Sequence, residues 1–159
     1  MEKKMEMINA AVLFSVLILL AIEDIREKKI MIIPPLLFCA YIFVMHIVFP
    51  TLEISEMLFG VLFGGIMILV SIMTKGKIGM GDAVIYACMI GPFFGGLKAL
   101  AVLFTATLAS AVFSLFCIVR MKKRQGALGV GTYVKETEIP FVPFTLIGAA
   151  VEFFGGLFT

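Results

Sequence analysis

Six long apolar runs, separated by short charged connections, decide what this chain can fold into. They cover about Met5 to Glu23, Ile30 to Phe49, Met57 to Thr74, Asp82 to Gly95, Leu97 to Val119 and Ile139 to Phe158. A helix that crosses a lipid bilayer needs about 20 mostly apolar residues. The 159 residues therefore accommodate six such helices and no large soluble domain. Composition agrees: 62% of the residues are hydrophobic and 15% charged, with a mean hydropathy of +1.14. An ordinary soluble domain is roughly 45–50% apolar. The expectation is an all-α, polytopic membrane protein with six transmembrane helices in one membrane-embedded domain, residues 1–159. Chemistry then belongs to the spans or to their ends. The first run ends in EDIREKK without a small-residue cleavage site, which predicts a retained span and not a signal peptide.

Two runs carry irregularities. Pro34 and Pro35 in the second remove two backbone donors and predict a kink or a delayed start. The fourth is short and interrupted by GPFFGG, which predicts a tilted helix or one packed inside the bundle. Small residues in GVLFGG, AVIYACM and TATLASA predict close approach of neighbouring helices.

The connections sort by charge. Arg26, Lys28 and Lys29 lie in the first, Lys75 and Lys77 in the third, and Arg120, Lys122, Lys123, Arg124 and Lys135 in the fifth. The second has Glu53 and Glu56 with no basic residue, and the fourth has only Lys98. Basic residues favour the cytoplasmic side, so connections 24–29, 75–81 and 120–138 are predicted there and both termini outside. A formal net charge of +2 spread over these clusters gives no basis for nucleic-acid binding.

That topology puts two acids at one membrane depth. Asp24 closes the first run and Asp82 opens the fourth, both on the cytoplasmic side. Taken alone, Asp82 reads as an N-cap, because an aspartate accepts the free amides of a helix start. Gly79 and Gly81 before it bare the backbone, leaving room for an extended peptide strand to approach. Asp24 is odder, since a helix end disfavours negative charge. Two carboxylates about 3 Å apart share one proton, so one can take a proton from water while the other gives one. By the helix-end argument Asp82 is the ionised base and Asp24 the acid.

These residues carry a resemblance. Gly79-Met80-Gly81-Asp82 resembles the GxGD signature of membrane aspartyl proteases. The stretch Asp24-Ile25-Arg26-Glu27-Lys28-Lys29-Ile30 resembles the one that follows the first helix of type IV prepilin peptidases, and IPFVPF at 139–144 resembles the entry to their last helix. The resemblance implies a cytoplasmic-membrane endopeptidase that removes short basic leaders from type IV prepilins or pilin-like subunits at the cytoplasmic face. It implies Asp24 and Asp82 as the catalytic pair, Gly79, Met80 and Gly81 as an active-site loop, and neither cofactor nor metal. Glu23 and Glu27 are candidates for contact with the basic leader. The chain departs from the family in Met31-Ile32 after the first motif and in Val84 after the second. Its first connection lacks the cysteine-rich insertion tied to amino-methylation, so methyltransferase activity is not expected.

A reading from another class stays open: a small transporter or pilus-assembly factor whose acids bind a proton or cation. Cys39, Cys88 and Cys117 form no C-x-x-C pair and read as core residues, and the lone His46 reads as a hydrogen-bonded interior residue.

Overall fold

A computed structural model of the chain describes residues 2–27, 30–49, 53–74, 79–125 and 140–157. All regular structure among them is helical: α1 (Glu2–Glu27), α2 (Ile33–Val48), α3 (Ile54–Met73), α4 (Met80–Phe94), α5 (Gly96–Gln125) and α6 (Val142–Leu157). Segments of α1, α3 and α5 are long and apolar enough to cross a membrane, while α2, α4 and α6 are shorter apolar helices. Lys28, Lys29, Lys75, Lys77 and Lys135, on which the orientation rests, lie outside the described residues.

Helix boundaries shift where helix-forming chemistry and the apolar pattern part company. α1 contains neither Gly nor Pro, and Glu and Arg extend a helix as readily as Leu does. It therefore runs past Glu23 to Glu27, and Asp24 lies one turn inside it rather than closing it. The second helix starts at Ile33, not Ile30, with Pro34 and Pro35 in its first turn. First-turn amides have no partner within the helix, so proline loses nothing there.

α4 is the interior helix, as its short run suggested. Ala83, Ile85, Tyr86, Met89, Ile90, Pro92, Phe93 and Phe94 are all buried. It consists of an α-helical start (Met80–Ile85), a π turn (Tyr86–Ile90) and a last α turn (Gly91–Phe94). Pro92 accounts for the wide turn, because its ring collides with the carbonyl four residues back in a regular α-helix. Gly95, at φ 80°, then turns the chain in a conformation open chiefly to glycine. Backbones meet closely where α3 crosses α4: a methyl group on Gly60 would collide with the Gly91 carbonyl, and one on Gly64 with the Ala87 backbone.

Packing closes a ring of helices in the order α1, α2, α4, α3, α5, α6 and back to α1. Leu13, Leu17, Phe38, Ile42, Met89, Val102 and Val142 fill its core. The outside is apolar as well: Ile18, Leu19 and Ile22 of α1, Leu58 and Leu62 of α3, and Phe104, Leu108 and Val112 of α5 are exposed. In water such a continuous apolar surface drives association, whereas acyl chains solvate it. Among the few interior polar groups, Tyr41 donates a 2.8 Å hydrogen bond to the Asn9 side chain. The expected bond to His46 is not found: its Nε2 is buried without a partner among the described residues.

Candidate active site

Three helix ends meet around Asp24. The residue is 8% exposed, and its Oδ2 accepts the backbone N–H of Val142 at 3.0 Å, across 118 residues of sequence. Val142 is the first residue of α6. In that first turn the Phe144 and Thr145 amides both bond the Phe141 carbonyl, and Pro143 has no N–H to offer. Phe141 has no side-chain acceptor, so the cap that its own position would normally provide comes from Asp24. Caps of this kind contribute about 0.5–2 kcal/mol. Asp24 thus sits near the unfavourable end of α1 and at the favourable start of α6, and the expectation that treats it as the acid considers only α1.

Asp82 is positioned differently. Gly79 occupies the N-cap position of α4, and Asp82 is the third helical residue, with no side-chain cap bond. The N-cap reading is therefore corrected, although a first-turn carboxylate still complements the helix dipole. Asp82 is half-buried and folds back over the loop, so that a methyl group on Gly79 would lie 2.5 Å from its Oδ2. A methyl group on Gly81 would lie 2.6 Å from the Ile30 side chain. The side-chain direction of both glycines is thus occupied by the protein itself, by Asp82 and by Ile30. Met80, between them, is exposed.

The Ile30 contact ties the two motifs together physically. Ile30 ends the stretch that begins with Asp24, and it rests on the glycine two residues after Gly79 and one before Asp82. The two carboxylates lie within electrostatic reach of each other. Asp24 and Asp82, 58 positions apart by their numbers, are thus gathered at one end of the bundle.

Beneath Asp82, one turn along α4, lies Tyr86, fully buried. Thr145 of α6, 1% exposed, stands beside it. The i, i+4 spacing of Asp82 and Tyr86 was visible in the sequence as a signal for this neighbour, while the Val142 amide had none beyond the prolines that mark the start of α6. Glu23 is half-buried and Glu27 exposed. Both line a groove of about 420 Å³ beside α1, with Leu19, Ile22, Arg26 and Pro34.

Chemically, two close carboxylates with their own surroundings can pass a proton in and out of a bound water, which is general acid–base chemistry. Among the described residues no group of three His, Cys, Asp or Glu side chains could hold a metal ion. No curated protein and no solved structure matches the chain. A family model does: that of the type IV leader peptidase family matches residues 11–116, which take in Asp24, Ile30, the glycine loop and Asp82. With well over half of its length matched, the chain belongs to the type IV leader peptidase family.

Proposed function

We propose that the protein is an aspartic endopeptidase of the cytoplasmic membrane that removes the short basic leader from type IV prepilins or pilin-like subunits. In this reading α1 to α6 all span the bilayer, both termini face outward, and the end that gathers Asp24 and Asp82 faces the cytoplasm. The observation that carries the reading is the meeting of those two acids, with Asp24 fixed by the Val142 amide.

The hydrogen bond suggests the division of labour. The Val142 amide holds the Asp24 carboxylate in one orientation, so in this reading Asp24 is the carboxylate that takes a proton from water, and Asp82 carries the shared proton. The hydroxide so formed attacks the scissile carbonyl carbon, and Asp82 gives its proton to the carbonyl oxygen. When the tetrahedral intermediate collapses, the C–N bond breaks, the proton on Asp24 passes to the leaving nitrogen, and a hydroxyl of the intermediate returns its proton to Asp82, which restores the starting pair. The mechanism needs one carboxyl protonated and the other ionised, so activity falls on both sides of a pH optimum.

Recognition follows from the surroundings. The substrate's apolar helix packs in lipid against the apolar outer surface, and its basic leader meets the acids of the α1 groove, Glu23 and Glu27. Arg26 in the same groove partly offsets their charge, which makes this a modest attraction. To test the function, purified protein in lipid nanodiscs is mixed with a substrate of basic leader, glycine and apolar helix, and product masses are read. One cut at the leader junction is expected. An uncut substrate, or equal cutting of a helix that lacks the leader, contradicts the reading.

A further inference from the structure

Among the described residues, the Tyr86 hydroxyl is a buried polar group at this end of the bundle that the fold leaves without a partner. Tyr86 is 0% exposed, and its hydroxyl has no hydrogen-bond partner of good geometry among the described residues. Thr145 is close enough to interact with it; the Thr145 hydroxyl donates a long 3.5 Å bond to the Phe141 carbonyl and forms no well-aligned bond with the Tyr86 hydroxyl. Burying a hydroxyl without a partner costs stability, and phenylalanine would fill the same space without that cost. A chain selected for folding alone has no use for the oxygen.

Local geometry says what the oxygen is near. The Tyr86 amide bonds the Asp82 carbonyl, so a regular α turn connects the two residues before the π turn begins. Residues four apart share a helix face, and long side chains lean toward the helix start. The Tyr86 side chain therefore shares a face of α4 with Asp82, near enough for the two to interact electrostatically. Asp82 has no hydrogen-bond donor of its own among the described residues, in contrast to Asp24 with its Val142 amide.

Resting on the peptidase reading, we propose that Tyr86 is a positioning residue of the aspartate pair: its hydroxyl donates to the Asp82 carboxyl when the pair works on substrate. The bond fixes the direction in which Asp82 presents its proton to the scissile carbonyl. It is made in the transition state more than in the resting protein, where the hydroxyl stands unpartnered. Its loss therefore lowers kcat and leaves substrate affinity alone.

The test is Tyr86→Phe in nanodisc-embedded protein, with kcat, KM and the thermal midpoint measured together. Expected are a fall in kcat of about 30-fold, the scale of one hydrogen bond to a charged group, a KM within about twofold of wild type, and a thermal midpoint unchanged or raised. A kcat equal to wild type overturns the proposal. So does a lowered midpoint or failure to accumulate in the membrane, since an unpartnered hydroxyl cannot be what holds the fold. Thr145→Val supplies the second arm. Expected is a kcat within about twofold of wild type, the bounds of losing a 3.5 Å bond. A loss as large as that of Tyr86→Phe means that the hydroxyl works through Thr145 and not Asp82, and sinks the assignment. Absence of leader cleavage by the wild-type protein is a different failure: it removes the peptidase reading, whereas the stability arm still reports whether the hydroxyl serves the fold.

Discussion

Asp24 and Asp82 are the same residue type at the same end of the bundle, yet the fold treats them in opposite ways. Asp24 is buried inside a continuous helix and tied at 3.0 Å to the first amide of another. Asp82 sits in the first turn of an interior helix, folded over a glycine, without a comparable bond among the described residues. In the proposed peptidase reading, that difference gives the pair one fixed carboxylate and one adjustable one. A fixed acceptor gives water a constant place from which to attack, while an adjustable partner can follow the oxygen it protonates.

The largest expected effects break the pair's stability symmetry as well as its activity. Asp24→Ala and Asp82→Ala should each abolish leader cleavage, with losses of at least about a thousandfold, as for other groups that act as a unit. Only Asp24→Ala should also destabilise the fold, by about 1 kcal/mol, because it uncaps α6. Equal melting temperatures for the two variants, measured in lipid, would contradict the assignment of fixed and adjustable roles.

Val142→Pro sharpens the same comparison. Proline suits the first helical position, keeps an apolar group at this buried place, and deletes the N–H that Asp24 accepts. Cleavage should fall by about 10- to 100-fold, following the 1.5–3 kcal/mol scale of hydrogen bonds to charged groups. An unchanged rate would show that Asp24 needs no such anchor.

The glycines differ in the same sense. Gly81→Ala drives a methyl group to 2.6 Å from the Ile30 side chain, a flexible neighbour. A loss of about tenfold is expected, with partial recovery in Gly81→Ala/Ile30→Ala, because a shortened side chain relieves the overlap. Gly79→Ala meets the Asp82 carboxylate itself, so the Ile30→Ala change should not rescue it. Relative cleavage rates of the four variants decide this. The smallest effect belongs to the groove: Glu23→Gln/Glu27→Gln should raise KM by about two- to fivefold at low salt, and the difference should vanish at high salt.

Much of the frame was legible in the sequence for a simple reason: apolar runs and helix length are local properties. Among the described residues each of the six runs holds a helix, and the broken fourth run forms the interior one. Local chemistry also misled. The apolar run stops at Glu23, but Glu, Asp and Arg do not stop a helix, so α1 carried Asp24 inside. The π turn was hidden because Pro92 signals disruption without saying what form it takes. Above all, the Asp24 bond to Val142, the seat of Ile30 on Gly81 and the burial of Tyr86 against Thr145 join residues from separate segments of the chain. Their partners follow from packing, which no single stretch of sequence states.

The most direct measurement is the leader-cleavage rate of Asp24→Asn and Asp82→Asn beside wild type, in lipid and under identical conditions. Both variants keep the shape of the site and remove one ionisable oxygen. Expected are a single cut by the wild-type protein and no detectable product from either variant. Cleavage at the wild-type rate by either one would contradict the shared-proton pair.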